Sequence, residues 1–376
     1  MSFLSNLFKG KKEKTPPTRQ DMEDNLYVHY IGYMPVNTGR GVLQQAFQNY
    51  RPAKENEKKL LSEVFDIISS VPTGKKLIDN VAAQGFKFYF NDFRGEMDGC
   101  MFAEYKTIML CPRQHSSAAA VAATAFHEMV HAVQNYKSGQ LLHDSTDINI
   151  ADQFRFQRAA EAAAWTEEAN FAYQIKDKHP EVLSHVTQFP MYHAFSDEME
   201  KSGDIKKAGE VAFKSWYGFK HYQEFYEKQH VQNISCGIAQ NKTNKNKLGL
   251  SQSLEAANIL QNVFVSEDLR ANISADYLSQ PTAFSLSSEA VKKLDECMQS
   301  YTEGFKKGIN DRSYHKMYSY ESGKTYADME QTSRPVAASL HVSHDRPSRM
   351  SSLKKTAGNQ QKQQIIRALR QSGANR

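Results

Sequence analysis

Two histidines and a glutamate with the spacing His-Glu-x-x-His can together bind and use a metal ion: His127, Glu128 and His131. On a helix, residues four apart lie about 6 Å apart along the axis and about 40° apart around it, so both imidazoles can reach one ion. Zinc suits such a site because it accepts imidazole nitrogen and prefers tetrahedral coordination. Glu128 can then take a proton from a water that the metal activates. The pattern therefore indicates metal-assisted hydrolysis.

The residues around this motif predict the long helix that it requires. Ser116 and Ser117 are suitable N-cap residues, the run that follows is rich in alanine, and Gly139 can end the helix. The alternative interpretation is that His127 and His131 lie on a helix that only packs or faces water.

A catalytic zinc ion needs a third protein ligand and one open coordination position. We predict Glu161, which lies in an alanine-rich segment with the pattern of a second helix, from Asp152 to about Ile175. Small side chains would allow the two helices to approach closely enough for a carboxylate to reach the metal. Glu168, two turns further along the same face, is an alternative ligand. Further alternatives lie in the connection between the two helices: His143, Asp144 and Asp147.

The arrangement resembles the zincin metallopeptidases of the gluzincin type. In these proteins the histidines of His-Glu-x-x-His and a glutamate on a following helix bind zinc. The resemblance covers residues 60–175 and rests on His127, Glu128, His131 and Glu161. It identifies the clan and not a characterised family within it. It implies a zinc-dependent metallopeptidase that hydrolyses peptide bonds with a metal-activated water and Glu128 as the general base.

Two departures from related patterns limit the resemblance. Many gluzincins carry Glu-x-x-x-Asp, in which the aspartate orients a ligand histidine, but here Trp165 stands in the place of the aspartate. The partner of the ligand histidines is therefore unassigned. Gln134 and Lys137 stand where metzincins have a glycine and a third histidine, so the metzincin pattern is absent.

Apolar spacing and turn residues predict the elements that position the motif. Helices are predicted at 56–70 and 75–84, separated by a turn at 72–74. A strand is predicted at 86–90, and a hairpin of two strands at 100–111. Helices followed by a small sheet and then by the motif helix give an α+β fold class.

Four segments of the chain are predicted. By the resemblance, residues 21–180 form a minimal zincin domain, in which the small sheet supports the active-site helix and the Glu-bearing helix. Residues 181–330 have helical spacing and many aromatic residues, which predicts an all-α half that closes against the zincin domain. The two ends, 1–20 and 331–376, are basic and are predicted to be disordered.

The resemblance also implies how a substrate binds. Residues 107–111 are predicted to run along the cleft and to pair with an extended peptide at a sheet edge. The alternative is an internal strand with both edges covered. The all-α half is expected to supply the group that stabilises the transition state. The sequence offers four candidates and does not rank them: Tyr192, His193, His221 and Tyr222.

The net charge of +5 is unevenly distributed. Residues 1–19 carry +4 and residues 331–376 carry +8, so the body between them carries −7. The C-terminal tail lacks interleaved aromatic residues that stack on bases, which argues against a nucleic-acid partner. The N-terminal tail has apolar residues before its lysines, so a weak contact with a membrane surface is the alternative to a purely disordered tail.

The remaining expectations concern location, redox state and partners. No stretch is apolar enough for a signal-peptide core or a transmembrane helix, so a cytoplasmic location is predicted, with export by a dedicated secretion system as the alternative. The four cysteines are therefore expected to be reduced. The predicted partner is a peptide or protein substrate, and no oligomeric state is predicted. The alternative function is a non-catalytic binding or scaffold protein on a zincin fold.

Overall fold

Alternating apolar residues build a small mixed sheet, and helices pack against one of its faces. The computed structural model describes residues 16–29, 50–92, 97–139, 147–243, 250, 252–303 and 311–333. The elements up to residue 175 are α1 (Arg19–Asp24), β1 (Tyr27–His29), β2 (Arg51–Pro52), α2 (Glu55–Ser69), α3 (Pro72–Ala83), β3 (Lys87–Asn91), β4 (Gly99–Phe102), β5 (Thr107–Leu110), α4 (Ala118–Lys137) and α5 (Ile150–Ile175).

The second part of the chain is mostly helical. Its elements are α6 (Leu183–Val186), α7 (Pro190–Ser202), α8 (Ile205–Gly218), α9 (Lys220–Thr243), α10 (Ala256–Val263), α11 (Glu267–Arg270), β6 (Ser285–Leu286), α12 (Ser288–Glu303), β7 (Tyr318–Ser319) and α13 (Tyr326–Ser333). The predicted α+β class is thus confirmed. The prediction of an all-α half is wrong in one detail, because β6 and β7 pair as a short parallel ladder.

The strand order of the main sheet is β2-β1-β3-β5-β4. β1, β3 and β5 run parallel, whereas β2 and β4 pair antiparallel with their neighbours. β5 lies between β3 and β4 and all four of its residues are buried, so 107–111 is the internal strand that was the alternative prediction, and its prediction as an edge strand is wrong. Within the described residues, the edge on that side of the sheet is β4.

β4 and β5 form the predicted hairpin. A short 3₁₀ segment is followed by Lys106, whose φ of 48° lies in the left-handed region and reverses the chain. Two of the four cysteines lie at this hairpin. Cys100 pairs with Met109 across it, so Cys100 and Cys111 are not directly opposite each other. In the part of the chain that the structure describes, the four cysteines form no disulfide.

α4 and α5, which carry the proposed metal ligands, begin at capped residues. The Ser117 hydroxyl accepts from the Ala120 N–H, and the Asn149 side chain accepts from the Asp152 N–H. Between the helices, the rings of Phe126 and Phe171 stack with their centroids 4.5 Å apart. Both predicted helices are confirmed, and the second begins at Ile150, two residues before the predicted start.

The predicted turn at 72–74 is wrong. Pro72 occupies the first position of α3. At this position the missing N–H of proline would have no partner within the helix, and the proline ring already holds φ at a helical value. Gly74 therefore lies inside the helix, at a point where a Cβ would overlap the carbonyl oxygen of Ile68 at the end of α2. The glycine is required by this close approach of two helices and not by a turn.

The helices after residue 180 share a core with the elements before it. One cluster of buried residues contains Phe65, Phe88 and Phe126 together with Phe213 and Trp216. The predicted domain boundary at 180 stays a prediction. The aromatic residues between positions 208 and 230 are divided between α8 and α9, which meet at Phe219.

Parts of both predicted tails are helical where the structure describes them: α1 begins at Arg19, and α13 extends to Ser333. The other residues of the two tails, 1–15 and 334–376, lie outside the described residues, as do His143 and Asp144. Every helix in the described part of the chain is either too short or too polar to cross a lipid bilayer.

A buried glutamate joins α5 to the start of α11. Glu167 is fully buried, and its Oε1 accepts the N–H groups of Val265 at 2.9 Å and Ser266 at 2.6 Å. Within the described part of the chain, its Oε2 atom has no hydrogen-bond partner. Burial raises the pKa of Glu167 to about 7, although the two backbone N–H groups and nearby Lys137 lower it.

This pKa predicts a pH dependence of stability. The folded chain holds the Glu167 proton up to about pH 7, whereas the unfolded chain releases it near the ordinary value of 4.5. The free energy of unfolding should therefore fall by about 3 kcal/mol as the pH rises from about 4.5 to about 7. Glu167→Gln cannot ionise and should remove this contribution.

Urea denaturation at several pH values measures the effect. Glu224→Gln, at an exposed position on α9, is the matched control and should keep the wild-type pH dependence. An identical slope in wild type and Glu167→Gln would contradict the prediction.

Candidate metal centre

The packing of α4 on α5 brings His127, His131 and Glu161 together. One ligand atom from each of these residues lies within 4.8 Å of the others. The two histidine Nε2 atoms are 3.0 Å apart, and Glu161 Oε2 lies 3.8 Å from that of His127 and 3.6 Å from that of His131. The three residues that the sequence predicts as metal ligands thus converge on one point.

The donor set fits a metal ion. Glu161 Oε2 is buried and, among the described residues, has no partner within hydrogen-bond distance, since the two imidazoles lie 3.6–3.8 Å away. A buried carboxylate oxygen in this situation is unfavourable unless it binds a cation. Two imidazole nitrogens face the same point. Two histidines and one glutamate are a set found in catalytic zinc sites, with a fourth position open. The residues therefore fit an ion that accepts both nitrogen and oxygen ligands, as zinc does.

Buried negative charge surrounds the two histidines. Burial lowers the pKa of His127, but the carboxylates of Glu161 and Glu168 outweigh that effect and raise it to about 10. The pKa of His131 is also raised against the effect of burial, mainly by the charge of Glu161. Burial raises the pKa of Glu161, but the two imidazoles outweigh burial and hold this pKa well below its usual range. The centre is thus electrostatically suited to a cation.

Glu168 is the hydrogen-bond partner of His127. Its Oε2 lies 3.0 Å from His127 Nδ1, on the side of the ring away from the ligand cluster. The Nδ1–H group therefore donates to Glu168, and Nε2 is left to face Glu161 and His131. The structure does not place Glu168 among the clustered ligand atoms, although the sequence offered it as an alternative ligand. Trp165 packs its ring edge-on against His127, 4.8 Å between centroids.

Gln134 is the partner of His131. Its Oε1 lies 2.8 Å from His131 Nδ1, and its Nε2 donates to the carbonyls of Ala160 at 2.9 Å and Val263 at 2.6 Å. These two acceptors fix which end of the amide faces the histidine, so His131 donates from Nδ1 and presents Nε2 to the cluster. The sequence signal was available: a glutamine three residues after a ligand lies on the same face of the helix.

The remaining alternative ligand within the described residues is Asp147. It lies before α5, where its backbone carbonyl accepts the Gln252 N–H, and it does not belong to the cluster.

Glu128 lies between the metal ligands and the edge strand. It is 7% exposed, and burial raises its pKa, with Glu161 and Glu168 acting in the same direction and the two imidazoles against it. A Cβ on Gly99 would lie 3.1 Å from Glu128 Cγ and 2.8 Å from Thr124 Cγ2. A glycine at the first residue of β4 therefore allows this strand to approach α4 at the motif.

Of the four candidates for stabilising the transition state, Tyr222 is the one close enough to the centre for its charges to act on it. Its pKa is raised by burial and by the charges of Glu168, Asp98 and Glu161. Tyr192 lies near Ser196 and Glu200 instead. The other two are exposed: His193, which is bonded to the Thr187 carbonyl, and His221.

Tyr226, one turn after Tyr222, was missed by the sequence analysis. Burial and the adjacent Glu161 carboxylate raise its pKa well above the usual range, so its phenol is neutral and can donate a hydrogen bond. The two tyrosine rings are 6.0 Å apart on α9. Helical spacing from Tyr222 was the available signal, but nothing local indicated which face of α9 meets the metal ligands.

Comparison with known proteins adds one finding. A family model described as "Putative metallopeptidase family (DUF6782)" matches residues 42–257, which is more than half of the chain and includes His127, Glu128, His131 and Glu161. No curated protein and no solved structure matches the chain.

The three-residue cluster predicts metal content. Wild-type protein purified without a histidine tag should contain about one zinc ion per chain, and His127→Ala and Glu161→Ala should each lose it, because removing one ligand removes most of the binding free energy. Elemental mass spectrometry measures this directly. Asp147→Ala is the control and should keep the metal. Equal zinc content in wild type and Glu161→Ala would contradict Glu161 as a ligand.

Proposed function

This chain belongs to the Putative metallopeptidase family (DUF6782), and on that basis we propose that it is a zinc-dependent peptidase with Glu128 as its general base. The observation that carries the proposal is the convergence of His127, His131 and Glu161 beside a buried glutamate. These three residues would hold the zinc ion. When bound, the ion supplies Lewis-acid chemistry, which polarises the scissile carbonyl and makes a water more acidic.

Glu128 performs the proton transfers. Its carboxylate takes the proton of the attacking water and then gives it to the leaving amine of the substrate. The raised pKa of Glu128 suits this exchange, because a general base works best when its pKa approaches the working pH. Glu168 and Gln134 hold the two histidines with their Nε2 atoms towards the ion.

The substrate is an extended peptide, bound at the edge of β4. This edge replaces the strand at 107–111 that the sequence predicted. Two observations support it: β4 is the edge strand in the described part of the sheet, and its first residue, Gly99, lies against Glu128. A peptide that adds to this edge through main-chain hydrogen bonds would place its scissile bond beside the general base.

Tyr226 stabilises the negative charge that develops on the substrate oxygen. Its neutral phenol lies beside Glu161, and a fixed donor in a buried site stabilises such a charge strongly.

Glu128→Gln should separate metal binding from catalysis. The amide keeps the shape of the side chain but cannot accept a proton, so kcat should fall by about 100-fold or more while zinc content stays at the wild-type level. Cleavage of a proteome-derived peptide library, followed by mass spectrometry, measures turnover without a known substrate. Glu181→Gln, at an exposed position, is the control.

If Glu128→Gln cleaves as fast as wild type, the proposed mechanism is wrong. If wild-type protein binds zinc but cleaves nothing, the alternative of a non-catalytic binding protein is favoured.

Tyr226→Phe removes a hydroxyl and leaves the ring. We expect kcat to fall by about tenfold or more with KM within about twofold, because the lost hydrogen bond forms mainly in the transition state. Tyr192→Phe makes the same chemical change away from the centre and should leave both constants unchanged. Equal effects of the two substitutions would contradict the role of Tyr226.

A further inference from the structure

We propose that His185 is a positioning residue for His127 and acts through Glu168; this inference rests on the proposed metal-dependent function. Glu168 is 2% exposed, and its carboxylate lies between two imidazoles. Its Oε2 is 3.0 Å from His127 Nδ1, and its Oε1 is 3.2 Å from His185 Nε2. Each oxygen thus has one imidazole partner, and the orientation of the carboxylate is set from both sides.

His185 is held by several elements. It lies on α6, is 6% exposed, and packs edge-on against the ring of His115 at 5.0 Å. Its Nδ1 faces Asp98 Oδ2 at 3.9 Å, and Thr124 Oγ1 lies 3.5 Å from its Nε2. Asp98 directly precedes β4, and Thr124 lies on α4. His185 therefore connects α6 to both of the elements that meet at Glu128.

The position of Glu168 determines the direction of His127. If Glu168 loses the bond to His185, its Oε1 is left unpaired in a buried place, and the side chain turns to find another partner. His127 Nδ1 then loses a fixed acceptor, and its Nε2 is no longer directed at Glu161. The effect reaches the metal ligand without any contact between His185 and the ligand cluster.

The test measures zinc affinity, by competition with a chromophoric chelator, so that it does not depend on a substrate. Hydrogen-bond partners of metal ligands change metal affinity by about 10–100-fold, and we expect His185→Leu to weaken zinc binding by about tenfold. His185→Gln should stay within about threefold of wild type, because the glutamine amide can donate to Glu168 from nearly the same place. His193→Leu, an exposed histidine on α7, is the matched control and should bind zinc as wild type does.

A double-mutant cycle separates positioning from a general loss of structure. If His185 acts through Glu168, His185→Leu should cause little further loss of zinc affinity in a Glu168→Gln background. Thermal unfolding of the metal-free variants reports any loss of the fold itself. A merely structural role would lower the melting temperature and give additive losses of affinity.

The outcomes distinguish this inference from the proposed function. Two results would overturn the positioning role and leave the proposed function standing. In the first, wild-type protein binds zinc and His185→Leu binds it equally well. In the second, the losses of zinc affinity caused by His185→Leu and Glu168→Gln are additive in the double variant. If wild-type protein binds no zinc, the proposed function and the positioning role both fail.

Discussion

The candidate centre depends on how closely two helices can approach. A glutamate side chain is short, so Glu161 reaches the imidazoles of the neighbouring helix only if α4 and α5 lie close together, and both helices are rich in buried alanine. Helix separation is set by the side chains at the contact, and alanine permits the smallest values short of glycine. Where a large pair does occur, Phe126 and Phe171, the rings lie flat against each other. The buried alanines of the two helices are Ala119, Ala120, Ala122, Ala123, Ala125 and Ala132 on α4, and Ala151, Ala159, Ala160, Ala162, Ala163, Ala164, Ala169 and Ala172 on α5.

This close packing brings a concentration of buried charge with it. Glu128, Glu161 and Glu168 are all shielded from water near the two histidines, and in such a place each carboxylate needs a partner. The imidazoles supply part of that need, with Glu168 held on the far side of His127. A bound dication would supply the rest. The arrangement therefore costs folding free energy that a bound cation would recover.

Local signals in the sequence were enough to predict the motif helix, the Glu-bearing helix and the α+β class. Capping residues, alanine content and the spacing of His127, His131 and Glu161 are properties of short stretches, and they carried over into the structure. The edge strand could not be predicted, because it depends on β5 pairing with both β3 and β4, and apolar alternation does not specify neighbours. Pro72 was ambiguous, since proline is common both in turns and at the first position of helices.

The residues around the ligands were hidden for a different reason. Glu168 could be seen as a carboxylate on the right face, but whether it meets a metal or the back of an imidazole depends on side-chain geometry. His185 and Tyr226 come from elements far along the chain, and no periodicity links them to the motif. Gly99 resembles any glycine of a hairpin until α4 is placed beside it.

The hydrogen bond from Gln134 to the Val263 carbonyl has a consequence for synthesis of the protein. The two residues are separated by 129 positions, so the network that orients His131 contains one of the longer-range contacts in the chain. A growing polypeptide cannot close this network until Val263 has left the ribosome, and contacts of such separation form slowly. The helix with both histidines can exist much earlier. The proposed hydrolytic activity would therefore arise late in biogenesis, after most of the chain has emerged and folded.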